Sequence, residues 1–61
     1  MKQNQCRIGQ WVQWYSKTRK REMHGQVAQL ENSRAYILVT TWDGRMHHWR
    51  EAYHKLQEIL L

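Results

Sequence analysis

The chain has 61 residues, a formal net charge of +5 and a sequence pI near 9.9. This length allows one domain, residues 1–61, and so short a chain buries only about 60% of the surface that its unfolded form exposes. The single cysteine, Cys6, excludes an internal disulfide, and a reduced thiol predicts a cytoplasmic setting. The longest apolar run, 35–39, is too short to cross a bilayer, so we predict no membrane association.

The first third of the chain predicts one strand and one long loop. Residues 1–7 are polar, and we predict that they are disordered. Strand-like alternation in WVQWY, residues 11–15, places Val12 and Trp14 on one face. Residues 16–22, SKTRKRE, have no apolar periodicity and therefore predict a loop.

The middle of the chain predicts a three-stranded meander with turns at 32–33 and 43–44. Asp-Gly at 43–44 is the strongest two-residue hairpin signal, because a type I′ turn needs positive φ at both central residues. A two-residue turn would place Trp42 opposite Arg45. The run at 34–41 is dense in β-branched and aromatic residues, which fit a pleated, partly buried surface. The predicted strands are 25–31, 34–41 and 45–49.

Two interpretations of the C-terminal residues remain open. Trp49, Tyr53, Leu56 and Leu60 recur at helical spacing, which predicts a helix over about 50–60 and an α+β fold, an antiparallel meander with a C-terminal helix. The alternative is one 3₁₀ turn over 50–54 followed by a short strand, which gives an all-β fold. We favour the second, because a fifth strand beside the first would protect that strand's edge.

The aromatic residues are too many for so small a core. Seven side chains look sufficient to fill it: Val12, Trp14, Val27, Leu30, Ile37, Val39 and Leu56. Large rings outside that set are expected to be partly exposed, since big aromatic side chains are seldom buried completely. These rings are Trp11, Tyr15, Trp42 and Trp49.

The order of predicted elements resembles that of the SH3-like small β-barrels. This family includes KOW and Tudor modules and the plasmid-encoded trimethoprim-resistant dihydrofolate reductases. The resemblance implies a five-stranded barrel with a short 3₁₀ turn before the last strand. The reductases carry a Val-Gln-Ile-Tyr run where this chain has MHHW at 46–49, so their activity is not implied. The matching features are Ile8-Gly9, Gly25-Gln26-Val27, Tyr36-Ile37-Leu38-Val39, Asp43-Gly44 and Leu56 to Leu60.

Positive charge and spare rings together predict a nucleic-acid-binding module with little sequence specificity. Lysines and arginines would neutralise phosphates of DNA or RNA, and exposed rings would stack on bases. The predicted phosphate-binding residues are Lys17, Arg19, Lys20, Arg21, Arg34 and Arg45, and the predicted stacking residues are Trp11, Trp42 and Trp49.

Two other interpretations of the same residues stand beside this one. The basic loop can be a solvated loop that keeps the chain soluble, and the rings can cap the ends of a barrel. Alternatively, the rings can anchor a protein-interaction or assembly module, with an acidic protein or a second copy of the chain as partner.

Metal binding and catalysis have little support in the sequence. His47 and His48 are adjacent on a predicted strand and therefore point to opposite faces, and no cysteine pair accompanies them or the other histidines, His24 and His54. The five carboxylates are scattered, and no glycine-rich phosphate loop occurs. We therefore predict no metal, no cofactor and no enzymatic activity.

Overall fold

The computed structural model describes residues 1–41 and 43–59. Five antiparallel strands form one sheet in the order β4-β3-β2-β1-β5, so the predicted all-β class is confirmed. Predictions for Trp42 and Leu60 lie outside the described residues. The elements in chain order are a 3₁₀ turn at Gln3–Gln5, β1 at Trp11–Ser16, β2 at Arg21–Leu30, β3 at Arg34–Thr40, β4 at Met46–Ala52, a 3₁₀ turn at Tyr53–Lys55 and β5 at Gln57–Glu58.

The first hairpin is tighter than the sequence predicts. Pairing of β1 with β2 runs from Trp11 opposite Gln26 to Ser16 opposite Arg21, which leaves residues 17–20 for the turn. The predicted loop over 16–22 is therefore wrong. β2 begins as early as Arg21 because the alternation of buried and exposed residues extends that far. Met23 and Gly25 are buried, whereas the residues on either side of Met23 are exposed.

At Gly25, β2 lies too close to β3 for a side chain. A Cβ atom there would lie 2.6 Å from the carbonyl oxygen of Leu38 and 2.7 Å from Cγ2 of Ile37. Further along β2, a bulge between Val27 and Gln29 shifts the pairing register. Leu30 lies beyond this bulge at the end of the strand and is 37% exposed, so its predicted place in the core is wrong.

The third hairpin joins β3 to β4. The backbone N–H of Thr41 donates to the carbonyl of Arg45 at 2.9 Å, so Arg45 pairs with Thr41. The predicted position of Trp42 opposite Arg45 lies outside the described residues. Gly44 takes a φ of +83°, a backbone conformation that residues with a side chain rarely adopt and that is common in hairpin turns. The Thr41 hydroxyl donates to the Asp43 carboxylate and lowers the pKa of that group.

The core lies on the inner face of the sheet and contains six of the seven predicted side chains. It also contains Cys6, Met23, Ala35 and Tyr53, which the sequence analysis missed. Cys6 is 4% exposed, and the 3₁₀ turn at Gln3–Gln5 precedes it. The terminal amine of Met1 donates to the carbonyl of Leu56 at 3.2 Å, which connects the N-terminal segment to the residue before β5.

The C-terminal segment follows the turn-and-strand interpretation, and the predicted helix over 50–60 is wrong. β4 extends to Ala52, and the 3₁₀ turn at Tyr53–Lys55 follows it. Tyr53 and Leu56 share a spacing of three residues, which an α-helix and a 3₁₀ turn have in common, and both side chains are buried. β5 then pairs with Val12 and Gln13 of β1, as predicted.

The sheet is strongly curved. β2 and β3 lie between β1 and β4, and a flat sheet would hold β1 and β4 roughly 14 Å apart. The ring centroids of Trp14 in β1 and Trp49 in β4 are nevertheless 6.3 Å apart. Curvature therefore brings the inner faces of β1 and β4 together, and the second 3₁₀ turn connects the two edge strands of the sheet.

Candidate nucleic-acid interface

The strongest concentration of positive charge is the first hairpin turn. We call Lys17, Arg19, Lys20 and Arg21 the basic turn; all four are exposed. Three ion pairs occur among the described residues, and none of them involves the basic turn. Its charge is therefore available to an external anion.

Local hydrogen bonding fixes the shape of the basic turn. Ser16 is buried at the end of β1, and its Oγ accepts a hydrogen bond from the backbone N–H of Arg19 at 3.2 Å. Lys20 adopts a left-handed backbone with a φ of 55°, which reverses the chain into β2. The cations consequently project from a defined turn rather than from a long loose loop.

Trp49 is the predicted ring that contacts the basic turn. The guanidinium carbon of Arg19 lies 5.8 Å from the centroid of the Trp49 ring, a cation–π arrangement. The Trp49 Nε1–H donates to Oε2 of Glu51 at 3.3 Å, and Trp14 packs beside the same ring. Trp49 is thus half-buried and held on several sides, and part of its surface remains exposed.

Arg45 lies at the same end of the sheet as the basic turn. Successive hairpin turns of an antiparallel meander alternate between its two ends, so the first and third turns share an end. Nε of Arg45 is 3.4 Å from Oδ2 of Asp43, but the Arg45 side chain is 80% exposed, and such surface pairs contribute little. Arg45 therefore adds a positive charge at the same end of the sheet as the basic turn.

Two predicted site residues lie elsewhere. Arg34 begins β3, opposite Ala52, and so lies at the other end of the meander from the basic turn. Trp11 begins β1, is 40% exposed and also lies at that far end. The structure brings together the basic turn, Arg45 and Trp49, whereas Arg34 and Trp11 are separate, and Trp42 lies outside the described residues.

A cavity beside the basic turn contains residues that the predicted site omits. It lies where β1 faces the end of β4 and the second 3₁₀ turn. Tyr15 is 54% exposed at this place, and Lys55 pairs with Glu51 at 3.7 Å. The sequence signal for Tyr15 was its position two residues before the basic turn, on the outward side of β1. We call this the seam cavity; its relevant lining residues are Tyr15, Lys17, Trp49, Glu51 and Lys55.

The histidines take part in structural contacts or point to solvent. On the outer face, the Tyr36 hydroxyl and Nδ1 of His48 form a hydrogen bond. Arg50 lies 4.7 Å above the Tyr36 ring and pairs with Glu31 at 3.0 Å. Within residues 1–41 and 43–59, no group of three or more histidine, cysteine or acidic side chains is arranged for a metal ion.

Two buried groups have shifted acidities. Burial raises the pKa of the Cys6 thiol, which disfavours the thiolate and hence nucleophilic reactivity. Burial also raises the pKa of Tyr53, with further contributions from Cys6 and Glu31, and its hydroxyl donates to the carbonyl oxygen of Glu31. Both groups lie in the core, away from the basic turn.

Comparison with models of known protein families, with curated proteins and with solved structures finds no match to this chain. In the part of the chain that the structure describes, no helix combines the length and apolar character needed to cross a membrane.

Proposed function

We propose that this chain is a small nucleic-acid-binding module with little sequence specificity, built on an SH3-like barrel. The observation that carries the proposal is the basic turn, whose four cations stand together without a carboxylate partner among the described residues. The curved sheet and the 3₁₀ turn before the last strand support the SH3-like comparison.

Binding would begin with the phosphate backbone. Lys17, Lys20 and Arg21 contact phosphates, and Arg45 extends the contact along the same end of the sheet. Each neutralised phosphate releases condensed counterions, so affinity depends on salt and hardly on base sequence. Arg19 has a second role, because its contact with Trp49 ties the turn to β4.

Aromatic rings next to the phosphate contacts would add a second contribution to the binding affinity. Tyr15 and Trp49 lie beside the basic turn, and rings at such places stack on bases of any sequence. A groove that combines cations with rings fits a nucleic acid better than it fits a purely apolar partner.

The test is direct binding at two salt concentrations. Fluorescence anisotropy would measure the affinity of the purified chain for labelled single-stranded and double-stranded oligonucleotides. With about four phosphate contacts, the logarithm of the association constant is expected to fall with the logarithm of salt concentration with a slope of roughly −3 to −4. Absence of binding to both oligonucleotides at low salt would refute the proposal.

A protein-interaction module is the second candidate, because β4 is an edge strand of seven residues with Met46 exposed on it. Such an edge can pair with a strand of an acidic partner or of a second copy of the chain. Analytical ultracentrifugation over a range of protein concentrations, with and without an acidic peptide, distinguishes the two candidates. Self-association, or binding of the acidic peptide without binding of either oligonucleotide, favours this candidate.

A further inference from the structure

The seam cavity lies where one edge of the sheet is uncovered. β5 pairs with Val12 and Gln13, so among the described residues no strand covers β1 from Trp14 onward. Tyr15 lies along this uncovered part, two residues before the basic turn. Across the gap, Trp49 and Glu51 come from β4, and Lys55 comes from the second 3₁₀ turn.

The walls of the cavity suit a flat ring. Tyr15 is the more exposed of its two aromatic residues and offers a platform on which a base can stack. Trp49 is fixed by Trp14, by Arg19 and by its hydrogen bond to Glu51, so its remaining surface is a rigid part of the cavity lining. A rigid aromatic wall binds a ring with little loss of conformational entropy on the protein side.

The charges around the cavity suit a nucleotide rather than a cationic ligand. Lys17 contributes an ammonium group from one side and Lys55 from the other, and both side chains are exposed. An isolated cation would be repelled by these lysines and by the adjacent basic turn. A nucleotide would place its phosphates towards the lysines while its base stacks on the exposed ring of Tyr15.

Glu51 determines which edge of a base can enter. Its side chain is largely buried. Oε2 accepts the Trp49 N–H at 3.3 Å, and Oε1 accepts the backbone N–H of Ala52 at 3.4 Å and lies 3.7 Å from Nζ of Lys55. A carboxylate repels phosphate but accepts hydrogen bonds from amino groups, and a carboxylate oxygen retains further lone pairs after one such bond. The cytosine N4 amino group is a donor of this kind, whereas thymine presents the O4 acceptor at the equivalent position.

We propose that the seam cavity binds one unpaired base of a single strand, with a preference for cytosine over thymine, an inference that rests on the proposed nucleic-acid-binding function. In a duplex, the bases are stacked and paired, so neither the ring face nor the amino group can reach Tyr15 and Glu51. The basic turn binds single and double strands alike, and the seam cavity adds affinity for single strands.

The first experiment compares ring variants of β1. Anisotropy at one low salt concentration would measure binding of labelled oligodeoxycytidine, oligodeoxythymidine and a mixed-sequence duplex, each of about eight nucleotides, within the usual site size of such modules. Tyr15→Ala is expected to weaken oligodeoxycytidine binding about five- to 150-fold, the usual effect of losing one stacked base, and to leave duplex binding unchanged.

Two matched variants control this comparison. Tyr15→Phe keeps the ring and is expected to keep the affinity of the original chain. Trp11→Ala removes another exposed ring of β1, at the end of the sheet far from the cavity, and is expected to leave binding of all three oligonucleotides unchanged. Equal losses with Tyr15→Ala and Trp11→Ala, or no loss with either, would overturn the inference.

The second experiment tests the role of Glu51. Glu51→Gln keeps an acceptor for the Trp49 N–H, adds a donor that can meet thymine O4, and is expected to reduce the preference for oligodeoxycytidine towards equality. If the original chain binds the two oligonucleotides equally, Glu51 has no role in choosing the base.

If the duplex and both single strands bind with equal affinity and Tyr15→Ala changes none of these affinities, the inference about the seam cavity fails while the basic turn retains its function. Failure of all three to bind at low salt removes both proposals.

Discussion

Arg21 and Arg34 each occupy the first position of a strand, yet they lie at opposite ends of the sheet. Arg21 begins β2 opposite Ser16 and is the last residue of the basic turn, whereas Arg34 begins β3 opposite Ala52. Both side chains are exposed and carry the same charge, and neither belongs to an ion pair among the described residues. Substituting each arginine in turn therefore separates the effect of charge at the basic turn from the effect of the net charge of the chain.

We expect Arg21→Ala to weaken oligonucleotide binding and to make the slope of log affinity against log salt shallower by about 1, because one phosphate contact is lost. Arg34→Ala removes the same charge from the far end and is expected to change affinity little and the slope hardly at all. Anisotropy titrations at several salt concentrations give both quantities. Equal slopes for the two variants would show that binding is spread over the whole surface.

Two leucines that both look like core residues in the sequence are expected to differ strongly in their contribution to stability. Leu56 is 1% exposed between the 3₁₀ turn and β5, so Leu56→Ala should lower the free energy of unfolding by about 2–5 kcal/mol. Leu30→Ala, at a site that is more than one-third exposed, should cost less than about 1 kcal/mol. Urea unfolding followed by tryptophan fluorescence measures both; a similar cost at the two sites contradicts the described core.

Gly25 is expected to tolerate no side chain. A Cβ atom would meet the Leu38 carbonyl oxygen, a backbone atom that cannot move without separating β2 from β3. We expect Gly25→Ala to lower the free energy of unfolding by roughly 1–3 kcal/mol, the usual range for overpacking. Gln29→Ala, on the exposed side of the same strand, is the control and should stay within about 0.5 kcal/mol of the original chain in the same urea experiment.

Stability is expected to decline at alkaline pH because of Cys6 and Tyr53. The pKa values of both groups are raised in the folded state, from ordinary values of 9.0 for the thiol and 10.0 for the phenol. Above these ordinary values the unfolded chain releases protons that the folded chain still holds, so the free energy of unfolding falls as pH rises. Their stabilisation is complete below about pH 9 and is lost as pH rises through the folded pKa values.

Variants of the two residues test this assignment. Cys6→Ala should remove the part of the decline that begins near pH 9, and Tyr53→Phe the part that begins near pH 10. Urea unfolding at intervals between pH 7 and pH 11 gives the slopes. An alkaline decline that is the same in both variants as in the original chain would assign it to other groups.

Local patterns in the sequence carried most of the strand assignment. The alternation around Ile37 and Val39 predicts their burial correctly, because the period of a strand is two residues whatever surrounds it. The predicted loop over 16–22 is wrong for the opposite reason. Polar residues extend a strand when pairing with a neighbour fixes their backbone, and pairing is a property of two segments rather than of one.

The sequence by itself determined that four cations lie together, because Lys17, Arg19, Lys20 and Arg21 are close along the chain and any fold keeps them close. Tertiary structure alone decided which distant residues join them. The alternation of hairpin turns placed Arg45 with the basic turn and Arg34 away from it, and the curvature of the sheet brought Trp49 beneath Arg19. Both outcomes depend on strand pairing and on the twist of the sheet. These are properties of several strands together, so they cannot be read from single positions in the sequence.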